Sequence, residues 1–588
     1  MSETSSPPAC DLQVDFPFDY AAHLAGERRI GRLPRAAEGA RVAVIGAGGS
    51  GLAAAYELLR AGCHPVVYEA ERGADGPGGR RLGGRMYSKR LDDADSAVVE
   101  LGCMRFPDSA RLLRQYAERF GLHWEPFREN YAADVTPLTV LDVDGRQYRT
   151  HRITDLHDLH GDFRTAHTRW EEALSRIGLR QIQRDVAARN LGAVRRRWQE
   201  VVDRYELWSF YRFLRDPEGV GLTHEEARIL GTAGVGPAAW DCFFDLGLLE
   251  ILRLVLCSDP STQYCAREGI SRLAEGFWVH RTTDAQGRRT SLEDVNGGAL
   301  RPAVVALDVE PDASHGVVVH TADGHRERFA AAVFTPQLHL LETGVEVRST
   351  VPGPPPLGPR MRRAIRRLHY WQSSKTALVV DRPFWKGTTL DGVTLTDRLP
   401  RAAYTLDYGP ARRPGGRSGV LYLSFTWAQD AMKVSASSLE ERVALFVRDL
   451  ADIHPEVANE LHRQARSGQA VTISWENEQN FRGLCRFSRP GDHLYQRDLF
   501  SHFMKDFAGR PAVPGEPPNA LFLAGDDTSW SPGWLDHALA SGINAAWGVL
   551  RLLGSDSEPG NPGPGDMWND PDYAPMPLRQ PSGTGPGD

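Results

Sequence analysis

Three glycines and one acid carry the first chemical signal in this 588-residue chain. Gly46, Gly48 and Gly51 form a GxGxxG pattern. The first glycine permits a tight turn, the second lets backbone approach a pyrophosphate, and the third lets a helix pack against a strand. Phosphate then rests on a helix N-terminus, where free N–H groups and the helix dipole favour negative charge. Glu69 comes 18 residues after Gly51, where a carboxylate can accept the hydroxyls of an adenosine ribose.

The flanking sequence supplies the elements this chemistry needs. Arg41–Ile45 (RVAVI) reads as a strand, LAAAYELLRAG after Gly51 has helical spacing of apolar residues, and Pro65–Tyr68 (PVVY) leads directly to Glu69. Together they make a β-α-β unit of about thirty residues. Leu82-Gly83-Gly84-Arg85 follows, and a distant strand, Ala520–Ala524, delivers Gly525-Asp526-Asp527 towards a helix from about Trp534 to Leu553. A carboxylate at such a strand end can accept ribityl hydroxyls, while a helix N-terminus stabilises charge on a reduced flavin ring. A nicotinamide cofactor needs no such second contact, so the dinucleotide is read as FAD. Gly84, Arg85, Gly525 and Asp526 are then cofactor contacts, with Val304 in the strand-like run 303–310 as another.

Composition narrows the class. Hydrophobic residues at 41% and charged residues at 25% exclude a disordered, collagen-like or fibrous chain. A net charge of −7 argues against a general binder of nucleic acid or anionic membrane. No apolar stretch reaches the ~18 residues of a membrane span, and the N-terminus lacks a signal-peptide layout, so a cytoplasmic location is expected. The seven cysteines are scattered without a C-x-x-C pair, which predicts reduced thiols and no metal site.

The predicted fold is α/β, with α and β elements mixed. A leader spans residues 1–39. A discontinuous Rossmann-like FAD-binding domain takes 40–107, 265–345 and 515–554. An inserted helical region covers 108–264, a sheet-based substrate-binding domain 346–514, and a Pro/Gly-rich tail, 555–588, is expected to be disordered. Within the FAD domain, 316–321 and 331–335 read as strands joined by a hairpin-like turn at Ala322-Asp323-Gly324.

The early GxGxxG, the GGR after it and the late AGD segment resemble the flavin amine oxidase superfamily from about residue 15 to 552. Superfamily flavins are sometimes thioether-linked to a cysteine near the C-terminal motif. The last cysteine here, Cys485, lies some forty residues before Gly525, so noncovalent FAD is expected.

Glu100-Leu-Gly-Cys-Met-Arg105-Phe-Pro resembles the ELGAMRFP-like segment of amino acid oxidases and amino acid 2-monooxygenases, with Cys103 in place of the usual alanine. That resemblance makes Arg105 the group that grips a substrate carboxylate, for which a guanidinium offers a planar two-pronged fork. The alternative is a structural arginine paired with a core acid. Lysine is rare in this arginine-rich chain, occurring only at 89, 375, 386, 433 and 505. Lys375 stands where the superfamily places a lysine that holds a water near the flavin and assists reoxidation by O2. A lysine within an apolar strand pays in desolvation and has its pKa lowered, unless it snorkels from a strand end.

Gly533-Trp534 resembles the segment in which a glycine carbonyl meets the substrate amine and an aromatic ring walls the flavin, although Trp530 could supply that ring. Tyr404, with Tyr408 as competitor, is a candidate for a second carboxylate hydrogen bond.

Longer segments, among them DFPFDYAAHL, SWENEQNFRGLCRF and GDDTSWSPGW, resemble the bacterial amino acid 2-monooxygenases, the tryptophan 2-monooxygenases included, more than the venom-type L-amino acid oxidases. The resemblance implies hydride transfer from Cα of an L-amino acid to the flavin with O2 as acceptor. The products are an amide with CO2, or a 2-oxo acid with ammonia and H2O2. Aromatics of the insert (Trp208, Phe210, Tyr211, Trp240, Phe243, Phe244) suit an aromatic or large apolar substrate if they are not simply core. The partners implied are the amino acid and O2, with a homodimer admitted. The competing readings are an amine or polyamine oxidase on the same fold, and a flavin-binding protein without catalysis.

Overall fold

The computed structural model describes residues 8–91, 97–127, 138–150, 161–233, 240–258, 263–285, 287–310, 316–350, 352, 355–407, 419–466, 469–505 and 518–573. Its nucleotide-binding sheet has four parallel strands in the order His64–Tyr68, Arg41–Ile45, Ala331–Phe334, Leu521–Leu523. These are short, largely apolar runs, as expected of a parallel sheet covered on both faces. The helix Gly49–Arg60 is buried at every position. It lies against the helix Leu535–Leu552, and the approach is close enough that a Cβ on Gly542 would sit 2.2 Å from the carbonyl oxygen of Ser50. Thus the first βα turn and the last long helix of the chain meet beside one sheet end.

A second sheet runs Arg326–Phe329, Val317–Thr321, Val304–Val309, Glu346–Ser349. Here the sequence reading needs correction. The turn at Asp323-Gly324 joins Val317–Thr321 to Arg326–Phe329, whereas Ala331–Phe334 crosses into the nucleotide-binding sheet. Its burial on both faces marks it as a parallel-sheet strand, and the charged RERF preceding it is the hairpin partner.

The substrate-side sheet has seven strands, ordered Ala470–Ser474, Ser373–Val380, Gly419–Trp427, Ala402–Asp407, Gly392–Thr396, Leu138–Val143, Arg146–Thr150. The last two strands come from the stretch assigned to the helical insert, and Leu138–Val143 joins by a parallel pairing with Gly392–Thr396. Likewise the helix Arg111–Arg119 packs Leu112, Leu113, Tyr116 and Ala117 into the nucleotide-binding core. Apart from the short strand Trp124–Pro126, which pairs with Gln263–Ala266, most of what remains of the described insert is helical: Gly161–Ile177, Leu179–Ala187, Leu191–Tyr205, Phe210–Arg215, His224–Ala233 and Leu248–Cys257. Its own core centres on Trp170, Trp198 and Phe213 and takes in Leu12 and Val14 of the leader.

The tail also departs from expectation. Ser555–Tyr573 is folded: Pro564–Met567 is a short helix, and Trp568 stacks on Phe500 with ring centroids 6.0 Å apart. Its glycines, which suggested disorder, permit close packing, since a Cβ on Gly565 would fall 2.0 Å from the Trp547 ring. Phe16 of the leader lies against Trp568 at 5.6 Å, so the described parts of the leader and the tail cover the same core. Residues 574–588 lie outside the described residues. Among the described residues, no helix is long and apolar enough to cross a membrane.

Candidate active site

The first βα turn is built as its glycines require. Gly46 has φ 97°, a left-handed conformation disfavoured for side chains, and a Cβ there would meet Thr335 Oγ1 at 2.6 Å. Gly51 lies so close to the turn that a Cβ would reach 2.0 Å from the Gly46 carbonyl oxygen. Gly48 is different: the nearest protein atoms to its absent Cβ are 4.0 Å away, and the residue faces a cavity of about 700 Å³. This open approach to backbone at a helix start is the cradle a pyrophosphate needs.

Glu69 borders the same cavity. Its Oε2 accepts the Ala47 N–H at 2.8 Å and its Oε1 the Glu71 N–H at 2.7 Å, so it fixes the glycine turn from the cavity wall. Burial pushes its carboxyl pKa up. Gly83 donates its N–H to Ala47 O at 2.8 Å, which lays the GGR segment alongside the glycine turn. Arg85 then reaches Asp526 Oδ2 at 3.3 Å and also donates to Leu484 O. Asp526 Oδ1 accepts the Gly533 N–H at 2.7 Å, tying the late strand end to the segment carrying Trp534. Val304, Gly84, Gly525 and Asp526 all border the cavity, and the residues present fit a flavin dinucleotide along this wall. Gln337, 4% exposed, also borders it and keeps Oε1 without a hydrogen-bond partner.

The cavity continues without interruption to Lys375, Arg105, Gly533 and Trp534. Lys375 is 3% exposed on the strand Ser373–Val380, and its Nζ donates to Gly102 O at 2.6 Å and Glu100 O at 3.1 Å. Burial lowers its pKa to about 7, against the opposing charge of Glu100. Burial likewise raises the Glu100 carboxyl to about 7. The snorkelling alternative is therefore excluded, because the ammonium is enclosed by two carbonyls and the rings of Phe425 and Tyr422. Arg105 is half-buried and lies 5.5 Å from the Tyr404 ring centroid and 5.7 Å from that of Phe127.

Tyr404 is set behind Arg105 rather than on the cavity wall; burial raises its pKa, opposed by the charge of the Arg105 guanidinium and its hydrogen bond to the hydroxyl. Tyr408 and residues 234–239 lie outside the described residues.

Of the two tryptophans, Trp534 borders the cavity, whereas Trp530 stacks on His493 at 5.2 Å and meets Phe500 at a tilt at 5.5 Å within the core. Of the insert aromatics, Trp240 and Phe243 reach the cavity, while Trp208, Phe210, Tyr211 and Phe244 pack in or against the helical core. Sequence reasoning missed Trp170, Leu174, Phe425, Trp427 and Phe487, which add aromatic and apolar lining to the cavity, and it missed His167, Glu171, Arg180 and Gln183, which border it as well. It also misjudged Cys485. The forty-residue separation does not keep this thiol from the cofactor region, because the segment folds back and places Sγ 3.6 Å from a Cβ built on Gly533.

A glycine-turn Rossmann unit, a late strand end pointing into the same cleft, and a buried lysine beside the junction define a flavin-dependent oxidoreductase. The chain belongs to the family of flavin-containing amine oxidoreductases, which it matches over residues 50–550. Among curated relatives it is 29% identical to tryptophan 2-monooxygenase of Pseudomonas savastanoi, over 94% of this chain and 97% of that one. It is 26% identical to L-amino-acid oxidase of Mus musculus, over 87% and 71%. Among solved structures, putrescine oxidase bound to putrescine superimposes with a TM-score of 0.61 at 18% identity, over 86% of this chain and 98% of that one. Cyclohexylamine oxidase of Brevibacterium oxydans gives 0.59 at 16%, over 88% and 99%. These likenesses to solved structures establish the shared fold.

Proposed function

We propose that this enzyme uses FAD and O2 to oxidise an L-amino acid with an aromatic or large apolar side chain. The observation that carries the reading is the continuity of one cavity from Gly48 and Glu69, through Arg85 and Asp526, to Arg105, Lys375 and Trp534. FAD held along Gly48, Glu69, Arg85 and Asp526 would supply the two-electron acceptor for the Cα–H of the substrate, with O2 as the final acceptor.

The protein's own residues do the positioning. Arg105 offers its fork to the carboxylate. Trp534 walls the pocket and helps exclude water, and the Gly533 carbonyl is the partner for the amine. The aromatic and aliphatic residues of the chamber take the side chain, and the Arg180 and Glu171 charges on the same cavity are paired with each other at 2.6 Å. Lys375, with a pKa near 7, exchanges a proton readily at neutral pH and supports the oxygen step.

Two outcomes share this site. Amino acid, O2 and water give 2-oxo acid, ammonia and H2O2, or amino acid and O2 give the amide, CO2 and water. Mass analysis of products from L-tryptophan, L-phenylalanine and L-leucine under air separates them, and failure of all three with turnover of tryptamine would transfer the reading to an amine oxidase. The FAD is held noncovalently in this reading, because burial pushes the Cys485 thiol well up and leaves little nucleophilic thiolate. Acid precipitation should release all yellow colour into the supernatant.

A further inference from the structure

The loop between the strands Ala470–Ser474 and Arg486–Phe487 crosses from the substrate-side sheet to the nucleotide-binding domain. It is internally folded. Trp475 O accepts the Gly483 N–H at 3.0 Å, while Glu478 O accepts the N–H groups of Phe481 at 2.9 Å and Arg482 at 2.8 Å. Trp475 anchors it below, donating Nε1–H to Leu101 O at 3.1 Å and meeting the Phe481 ring at 5.0 Å. Arg482 adopts φ 57°, an uncommon conformation for a residue with a side chain, and holds it through the bond from its Nε to Gln479 O at 3.2 Å.

Gln479, Asn480, Phe481 and Arg482 border the same cavity as the glycine turn. Phe481 comes within 4.0 Å of a Cβ built on Gly84, so the loop tip reaches the GGR segment. The return limb of the loop is held by Gln337 Nε2, which donates to Gly483 O at 3.0 Å, and by Arg85, which donates to Leu484 O, whereas the tip is fastened to the opposite wall by Asn480 Nδ2 donating to Glu71 Oε1. Glu71 is tied into the cofactor wall twice. Its N–H donates to Glu69 Oε1 at 2.7 Å, and its other oxygen lies 3.8 Å from Arg81, which donates to Gly84 O at 2.7 Å.

We propose that the loop Glu478–Leu484 is a clasp over the bound dinucleotide, latched by Asn480 on Glu71, and that opening this latch limits cofactor release. The proposal rests on the reading that the cavity holds FAD. Asn480 and Glu71 are retention residues, acting on how long FAD stays and not on the reacting atoms.

The test is the release rate of FAD from the loaded enzyme, followed by the activity regained by an excess of a second, FAD-free oxidase that traps each FAD released. Asn480→Ala and Glu71→Ala should each release FAD about tenfold faster or more, the effect of losing one charge-assisted hydrogen bond. Asn480→Asp, which sets two carboxylates together, should release it faster still. The double variant should release no faster than the quicker single one, because both remove the same bond. Apoenzyme melting temperatures close to that of the wild type show that the fold is intact. Release at the wild-type rate in all variants, or full additivity in the double variant, overturns the clasp. A wild-type protein that never takes up FAD overturns the cofactor reading itself.

Discussion

Replacing Arg105 with alanine removes the group on which the amino acid reading depends. The guanidinium stands at the cavity wall between the Phe127 and Tyr404 rings, and Lys375 is close enough that the two positive charges repel. A carboxylate entering there gains a two-pronged partner and relieves that repulsion. Truncating one member of a desolvated, hydrogen-bonded charge pair costs about 2–5 kcal/mol, or about 30- to several thousand-fold in kcat/KM. Because Arg105 is half-buried and Lys375 would leave a second cation behind, the lower part of that range applies, about 30- to 300-fold. Arg105→Lys should also be impaired, since a point charge cannot reproduce the fork. The assay is anaerobic stopped-flow reduction of the flavin, which separates substrate affinity from the rate of the reductive step. Each variant is compared on an amino acid and on its decarboxylated amine. The amine should be handled by Arg105→Ala within about threefold of wild type. Unchanged kcat/KM on the amino acid, or an equal loss on both compounds, would refute the carboxylate assignment.

Further outcomes follow from the same geometry. Gly48→Ala meets no protein atom but fills the phosphate cradle, so the apoprotein should melt normally and bind FAD weakly; Gly51→Ala strikes the Gly46 carbonyl and should lower both stability and FAD binding, as paired melting and titration would show. Trp530→Ala should destabilise the fold by about 3–5 kcal/mol in denaturant unfolding, whereas Trp534→Ala should act chiefly on KM and the rate of flavin reduction. A cation beside developing negative charge favours oxygen reduction, so flavin reoxidation should slow as pH rises through about 7, and Lys375→Met should abolish that inflection. Stability should show the same pair. Lys375 titrates in the fold near 7, below its ordinary value, so the unfolded chain binds more protons between pH 7 and 10.5 and stability rises across that window. Glu100, raised from 4.5 to about 7, makes stability fall between those values. Melting curves from pH 5 to 9.5 should therefore lose one limb in Lys375→Met and the other in Glu100→Gln.

Local signals carried the cofactor half of the site into the sequence. The glycine turn, Glu69 and the Gly525-Asp526 strand end are each readable because one backbone feature dictates the residue type. The substrate half was legible through the motifs around Arg105, Lys375 and Gly533-Trp534, but not in its walls, since Trp170, Phe425 and Phe487 converge from a helix and separate strands that no spacing rule connects. Leu138–Thr150 hid in the insert because its pairing with Gly392–Thr396 spans some 250 residues. The tail misled for a related reason: Gly563 and Gly565 are there to fit against Trp547, and composition cannot distinguish a glycine that frees the chain from one that lets it pack. Trp530 and Trp534 were equivalent in sequence and separate only once the core around His493 and Phe500 is seen.

The central claim is that an L-amino acid held by Arg105 reduces a flavin bound along the Gly48–Asp526 wall. Anaerobic mixing of the yellow holoprotein with each of the twenty L-amino acids tests it directly. Rapid bleaching of the flavin by aromatic or large apolar L-amino acids, and not by their decarboxylated amines, is the result expected. A flavin left oxidised by every amino acid, or bleached equally by the amines, would contradict it.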